Sequence, residues 1–386
     1  MRAFNGKING AWQANNQPVI PWEQSIVLDM ETVEGHRRFF MADTKKHEVK
    51  YEDAFASRAL APVVPADAET GRAALEEVWK AFDTEYPLFP LRPEVDWTAL
   101  HDAAAARMAG VTCSYEIGAV LDDMIVPLRD LHAYVKVGDE FLPGYHRERS
   151  QNASWKGSAA VIGGLEETKH GLTWGRTKDD IGYVNIYELN DGAGPPAYDA
   201  ALDKLGDCWA LVIDLRFNGG GDELLGRQYA GRVLAEPAVY SVNQYRNGPA
   251  HDAYGPKLER ACEPRGPWRW ESPVIVLQGQ RTMSSAESLL LMFAQAPQVT
   301  TLGDRSAGSS ANPRRLDVAG RISVNLPRWL DMLPDGTPLD EKGVPPDVPV
   351  AADAKSMTDT ADGVLQAALE RLRKLPRGER KPGHRG

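Results

Sequence analysis

The sequence predicts an α/β protein whose main core is a largely parallel sheet flanked by helices, preceded by a β-rich segment and a helical subdomain. Two observations carry this prediction. Short apolar segments typical of buried strands alternate with helical segments between residues 181 and 352. Residues 70–131 instead repeat apolar residues at helical spacing. The chain has 386 residues, 42% of them hydrophobic and 25% charged, which is typical of a globular protein with ample core.

The N-terminal half predicts two smaller regions. Alternating segments such as "QSIVLDM" and "RRFFMAD" indicate a β-rich segment over residues 1–62. Helices are then expected in "TGRAALEEVWKAFDTEY", in "DWTALHDAAAARMAG" and in "SYEIGAVLDDMIVPLRDLH", the last leading into His132 and a strand "AYVKV". The helical subdomain is therefore placed at 63–135 and the α/β core, with a C-terminal helix, at 136–386.

Within the core the expected elements alternate regularly. Strands are predicted in "IGYVNIYEL", "WALVIDLRF", "SPVIVLQG" and "VTTLG". Helices are predicted between them in "DELLGRQYAGRVL" and "SAESLLLMFAQA", and a last one near "DGVLQAALERLRK". This alternation is what favours parallel strands covered on both faces.

Net charge, cysteine spacing and hydropathy argue against several classes of protein. A net charge of −10 argues against nucleic acid as a partner, because phosphate binding needs a basic face. The three cysteines, Cys113, Cys208 and Cys262, form neither a CxxC pair nor a disulfide framework. With no signal-peptide pattern at the start and no apolar stretch long enough to span a membrane, the expectation is a cytoplasmic protein without a membrane partner. The sequence gives no indication of oligomeric state.

A glycine-rich turn follows the strand "LVIDLRF". The dinucleotide fingerprint fails there because its third glycine position is Leu224, and no Lys-Ser or Lys-Thr follows to make a P-loop. No cofactor is therefore expected. The glycines predict either a tight turn or a backbone N–H donor that approaches a ligand closely.

Two adjacent serines precede the helix "SAESLLLMF". Ser284 with Glu287 three residues later has capping-box spacing, so a structural role as a helix cap competes with a nucleophilic one. Other serine-hydrolase layouts are absent, since the chain contains no GxSxG elbow and no SxxK motif. The histidines and cysteines include no spacing typical of a metal site, so no metal is expected.

Five segments in order resemble one family. "IGYVNIYEL", "LVIDLRFNGGGD", "TMSSAE", "GDRSAG" and "DEKGVPPDV" are similar to the motifs of the S41 peptidases, the C-terminal-processing or tail-specific family, over about residues 70–355. The resemblance implies a ClpP/crotonase-like catalytic core. Only about 45 residues separate His132 from "IGYVNIY", which is too few for a PDZ domain inserted there.

The resemblance also implies to which branch of the family the chain is similar and which residue is its general base. Where the tail-specific branch has its catalytic lysine, this chain has Ser309, and no lysine occurs between Ser284 and Lys342. The segment "LRDLHAYV" instead resembles the histidine segment of the branch that contains the tricorn core protease and the retinoid-binding protein modules, with Leu131 where that branch has serine. His132 is then the general base, suited by its near-neutral pKa as a residue type.

The remaining roles follow from the same comparison. Ser284 matches the nucleophile, and the backbone N–H groups of Ser285 and of Gly219 or Gly220 would bind the oxyanion. The family glutamate that orients the histidine maps to Asp340, with Glu341 as the alternate.

Three functions stay open at this point. The first is cleavage of peptide bonds through an acyl-enzyme. The second is hydrolysis or acyl transfer on a non-peptide ester, lactone or amide, which the same residues would equally perform. The third is a non-catalytic protein that binds a small molecule or a peptide on the same fold.

Overall fold

The computed structural model describes residues 64–352 and 355–377, together with the backbone of four strands nearer the N-terminus. The predicted 1–62 region therefore lies mostly outside the described residues, apart from those strands. In chain order the described helices are α1 (Ala68–Glu85), α2 (Trp97–Met108), α3 (Ser114–Ile125), α4 (Trp155–Ile162), α5 (Gly194–Lys204), α6 (Glu223–Ala230), α7 (Ser285–Phe293) and α8 (Gly363–Arg373). None of them is both long and apolar enough to cross a membrane.

Strands form at every position where the sequence predicts one, and further strands form where none was predicted. In chain order they are β1 (Arg2–Phe4), β2 (Ser25–Val33), β3 (His36–Asp43), β4 (Glu48–Lys50), β5 (Tyr134–Val137), β6 (Glu140–Phe141), β7 (Glu166–Glu167), β8 (Leu172–Arg176), β9 (Ile181–Ile186), β10 (Ala210–Asp214), β11 (Ala238–Tyr245), β12 (Leu258–Cys262), β13 (Val274–Gln278), β14 (Val299–Gly303), β15 (Arg314–Val318), β16 (Ile322–Leu326), β17 (Trp329–Met332), β18 (Val348–Pro349), β19 (Met357–Thr358) and β20 (Ala361–Asp362).

The chain divides into two units whose boundaries differ from the three regions expected from the sequence. The first unit comprises 1–147, 245–255 and 311–329, and the second comprises 148–244, 256–310 and 330–386. The segment 311–329 joins the first unit because β16 pairs with β5 in an antiparallel sheet of order β15-β16-β5-β6. Sequence proximity could not indicate that pairing, since the two strands are far apart in the chain.

The first unit contains a four-stranded antiparallel sheet, β1 to β4 in chain order, and the three helices α1 to α3. Aromatic rings form much of the helical core, with Phe82, Tyr86, Phe89 and Trp97 in mutual contact. The third helix is shorter than expected. It ends at Ile125 and continues as a 3₁₀ turn over Val126–Leu128, because proline at 127 lacks an N–H and cannot continue the α-helical hydrogen bonds.

The second unit is built on a seven-stranded sheet of order β18-β14-β13-β10-β9-β8-β7. The strands from β18 to β9 are parallel, whereas β9, β8 and β7 pair antiparallel at one edge. Every residue of β9, β10 and β13 is buried, and a separate hydrophobic cluster covers each face of the sheet. The predicted α/β core with parallel, fully covered strands is therefore confirmed.

A buried ion cluster fixes the end of β10 to the last helix. The guanidinium of Arg216 donates to Asp214 and to Asp362, the residue that caps α8, at 2.6–2.9 Å, and all three side chains are inaccessible to solvent. The two carboxylates raise the pKa of Arg216 well above its usual value despite burial. The cluster therefore holds the loop after β10 in one place.

Candidate active site

Ser284 occupies the sharp turn between β13 and α7. Its backbone has φ 59° and ψ −131°, a region that residues with a Cβ rarely adopt, with a typical energy of about 1–3 kcal/mol above the allowed regions. An ordinary N-cap residue has negative φ, so the capping role alone does not require this conformation. A strained turn that presents a serine between a strand and a helix is typical of a nucleophile.

The carboxylate of Glu287 holds this turn in place. It is fully buried and accepts four hydrogen bonds. The Ser284 N–H donates to Oε2 at 3.1 Å and the Ser309 N–H donates to the same oxygen at 2.9 Å. The Gly308 N–H donates to Oε1 at 2.7 Å, as does the hydroxyl of Ser306. Burial raises the pKa of Glu287 to about 7, although its four donors favour the charged form.

Ser309 stands where the tail-specific branch has its lysine, and its backbone serves the nucleophile turn in another way. Its N–H donates to Glu287, and its carbonyl accepts from the Ser284 N–H at 2.9 Å. The loop 306–309 thus braces the turn that carries Ser284.

The glycine-rich loop after β10 packs directly on the nucleophile turn. A Cβ on Gly220 would lie 2.8 Å from the Ser284 Cβ and 3.1 Å from the Ser285 nitrogen, so only glycine permits this approach. The Gly220 N–H donates to the Asn218 Oδ1 at 2.8 Å. The N–H of Gly219, by contrast, has no acceptor within the described ranges, and Gly219 is exposed.

Ser285 secures the contact between these two segments. Its hydroxyl donates to the carbonyl of Gly221 at 2.7 Å, which ties the first turn of α7 to the glycine-rich loop. The Ser285 N–H has no acceptor among the described residues, as expected for the first N–H groups of a helix. The Ser285 and Gly219 N–H groups are thus both available to a ligand.

The turn that carries Asp340 and Glu341 is bound to the same bracing loop. The Glu341 N–H donates to the Gly308 carbonyl at 2.8 Å, and a Cβ on Gly308 would lie 2.6 Å from the Gly343 nitrogen. Asp340 is half-buried, whereas Glu341 is exposed and has φ 56°. The second unit therefore links Ser284 and the Asp340 turn through residues 306–309.

His132 lies in the first unit, in the turn just before β5. Its side chain is 8% exposed. The His132 N–H donates to Asp130 Oδ1 at 2.8 Å, and its carbonyl accepts from Asn325 at 2.6 Å. Asp130 is itself bound by the hydroxyl of Tyr86 at 3.1 Å. Since Ser284 and Asp340 belong to the other unit, the pairing of the imidazole with them stays a prediction.

Three supporting residues were not predicted as part of the site: Glu287 as a hub, Asn218 and Asp130. Asn218 and Asp130 each accept a backbone N–H from two residues further along the chain. That spacing is typical of an Asx turn, so "NGG" and "DLH" carried a usable local signal. Glu287 was visible only as a capping-box residue, because its bonds to residues 306–309 depend on the tertiary fold.

Comparisons with known proteins agree with the motif pattern. Residues 180–350 match the sequence model described as Peptidase family S41. This match confirms the predicted resemblance to the S41 peptidases and supports a peptidase. The search of curated proteins finds no match.

Solved structures support the same fold. A structure of a "putative peptidase" from Parabacteroides merdae ATCC 43184 superposes with a TM-score of 0.71 at 25% identity, covering 81% of this chain and 98% of that one. Mature CPAF gives a TM-score of 0.57 at 12% identity, covering 80% and 96% of the two chains. The tricorn protease gives 0.53 at 14% identity, covering 91% of this chain and 46% of its own. At such identities the last two show the fold alone.

Proposed function

We propose that the protein is a serine peptidase that cleaves peptide bonds through an acyl-enzyme formed on Ser284. The observation that carries the proposal is the strained Ser284 backbone, held by Glu287 and packed against Gly220. A helix cap does not need that strain, whereas a nucleophile must be presented outward at a fixed angle.

In the proposed mechanism, His132 accepts the proton of the Ser284 hydroxyl as the oxygen attacks the scissile carbonyl. The oxyanion accepts from the N–H groups of Ser285 and Gly219. Gly219 is preferred to Gly220 because the Gly220 N–H already donates to Asn218. His132 then protonates the leaving amine, and water hydrolyses the ester with His132 again as the base.

Asp340 is proposed to accept from the second imidazole nitrogen, which fixes the tautomer and stabilises the imidazolium. Its partial burial supports this role over the exposed Glu341, since burial strengthens an ion pair.

The test compares two neighbouring serines. Ser284→Ala should abolish both peptide cleavage and labelling by a fluorophosphonate. Ser285→Ala removes only the bond to Gly221, a net loss of about 0.5–1.5 kcal/mol, so activity should fall roughly tenfold or less. Cleavage is measured on a peptide library. An active Ser284→Ala variant, or wild-type protein that labels but cleaves only esters or lactones, would contradict the peptidase proposal.

A further inference from the structure

An aromatic cluster lies beside the glycine-rich loop. Trp155, the first residue of α4, contacts Tyr187 and Phe217 edge-on, with ring centroids 5.5 and 5.3 Å apart. Trp155 is 40% exposed, and the other two rings are half-buried. Phe217 precedes Gly219 by two residues, which places the two backbones within about 7 Å.

Polar atoms without partners lie on the same face of the sheet. Asn185 on β9 is directly opposite Thr173 on β8, and each is only 1% exposed. Within the described ranges, Asn185 Nδ2, Asn185 Oδ1 and Thr173 Oγ1 have no hydrogen-bond partner. Leaving one such buried group unpaired typically destabilises a fold by about 1–3 kcal/mol, so three together indicate a group that completes them.

The position of Asn185 relative to the rings follows from the strand. Alternate residues share a face, so Asn185 lies between Tyr183 and Tyr187 on the side covered by α4. At one end Trp155 contacts Tyr187. One turn along the helix, Ser158 donates to Asp362 in the buried ion cluster, and the Tyr183 hydroxyl donates to Asp214 of the same cluster. Asn185 therefore lies on the covered face of β9, two residues from Tyr187, which belongs to the aromatic cluster with Trp155 and Phe217.

We propose that the aromatic cluster and Asn185 together form a site that binds a tyrosine side chain of the substrate peptide, with the three rings as its walls and Asn185 as its floor. Aromatic walls suit the apolar body of a phenol, and a floor with both a donor and an acceptor suits its hydroxyl. The hydroxyl donates to Asn185 Oδ1 and accepts from Nδ2. Trp155, the most exposed of the three rings, is the wall that moves to admit the side chain.

The site is continuous with the proposed catalytic loop. Asn218 donates from Nδ2 to the carbonyl of Ile186, between Asn185 and Tyr187, and accepts from Gly220 at Oδ1. In an extended peptide, side chains on one face recur about every 6.6 Å. A peptide with its scissile carbonyl at Gly219 therefore presents the residue about two positions away to this site. That placement rests on the proposed function, but binding of the phenol does not.

The test measures binding of N-acetyl-tyrosinamide and N-acetyl-phenylalaninamide to the full chain carrying Ser284→Ala, by NMR titration. The tyrosine compound should bind about 3- to 10-fold more tightly, the net effect of one satisfied hydrogen bond. Thr173→Val, which keeps the shape of the side chain, and Asn185→Leu should each reduce that ratio, and Asn185→Leu should bring it to about 1. Trp155→Ala should weaken both compounds equally.

Trp268→Ala is the matched control. Trp268 is also a partly buried tryptophan of the second unit, but it stacks on Arg232 and packs in the cluster on the other face of the sheet. It should leave both affinities unchanged. Equal affinity of the two compounds, no binding of either, or a ratio that survives Asn185→Leu would overturn the inference. So would an Asn185→Leu variant that is simply more stable, with unaltered binding, as expected if ordered water alone fills the site.

A second measurement separates this inference from the peptidase proposal. Wild-type protein is given paired peptides that differ only by tyrosine or phenylalanine at successive positions, and kcat/KM is compared. If the tyrosine compound binds selectively but no peptide is cleaved, the peptidase proposal fails and the site stands. If peptides are cleaved without any preference for tyrosine and the compounds bind equally, the site fails and the peptidase proposal stands.

Discussion

Glu287→Gln is the most informative single change, because it alters one atom of the hub beneath Ser284. A glutamine keeps one acceptor oxygen and puts an NH₂ group where the other oxygen was. If the amide nitrogen faces Ser306, whose hydroxyl can turn to accept from it, the Gly308 N–H loses its acceptor. If the amide nitrogen instead takes the place of Oε2, the N–H groups of Ser284 and Ser309 both lose their acceptor.

The expected magnitude follows from these bonds. One or two buried donors without acceptors, together with loss of the charge that strengthens the remaining bonds, amount to roughly 2–4 kcal/mol. That is comparable to the backbone strain of about 1–3 kcal/mol that the hydrogen bonds of Glu287 must maintain at Ser284. The turn should therefore relax, and kcat should fall about 30- to 1000-fold with little change in KM.

The assay measures kcat, KM and the rate of fluorophosphonate labelling, together with the free energy of unfolding. Asp199→Asn is the matched control, since that carboxylate also accepts four hydrogen bonds, from Arg232 and Arg265. It should also lose stability, because it breaks ion pairs with two arginines, yet keep kcat within a few-fold. Normal kcat in Glu287→Gln, or an equal loss of kcat in Asp199→Asn, would refute the proposed role of Glu287.

Three further predictions concern the base, the carboxylate and pH. Activity should rise with pH through one ionisation near neutrality, because His132 must be neutral to act as the base. Glu287 also has a pKa of about 7 and could cause a similar rise. The residual activity of Glu287→Gln should therefore still rise with pH if His132 is the base, and should not rise if Glu287 causes the effect. Asp340→Asn should lower kcat by several orders of magnitude while Glu341→Gln changes it little, and the reverse order would move the orienting role to Glu341. Burial raises the pKa of Asp122 to about 7, so its proton stabilises the folded state at low pH. This contribution is lost as pH rises through 7, which lowers the free energy of unfolding by about 1.4 kcal/mol between pH 6 and 8. Asp122→Asn should flatten the dependence of the free energy of unfolding on pH over that window.

The sequence by itself determined the central strands β9, β10, β13 and β14 of the second unit and three of its helices, α6, α7 and α8. Apolar runs such as "LVID" and "VIVLQ" are long enough to be strands and too uniformly apolar to be half-exposed, so parallel pairing and two covered faces followed. Local patterns also singled out Ser284 and the glycine-rich loop, because a strand–turn–helix junction and a close backbone approach both leave short sequence signals. Their roles as nucleophile and oxyanion donor came from the resemblance to a family and stay predictions.

Local patterns were weaker at turns and caps. The helix before His132 was predicted too long because apolar spacing continues through Pro127, whereas a missing N–H ends the helix regardless of spacing. The choice between Gly219 and Gly220 also stayed open in the sequence. The structure favours Gly219 for the proposed role, since the Gly220 N–H already donates to the side chain of Asn218.

Only the tertiary structure decided what Glu287 does and how the chain divides. Residues 306–309 reach Glu287 from about 20 positions away, and β16 reaches β5 from the far end of the chain. Such contacts form between residues that only the folded chain brings together, so a single sequence does not show which donor meets which acceptor. The strain at Ser284 has the same origin: a backbone conformation that the residue disfavours on its own persists because surrounding hydrogen bonds and the packed Gly220 hold it there.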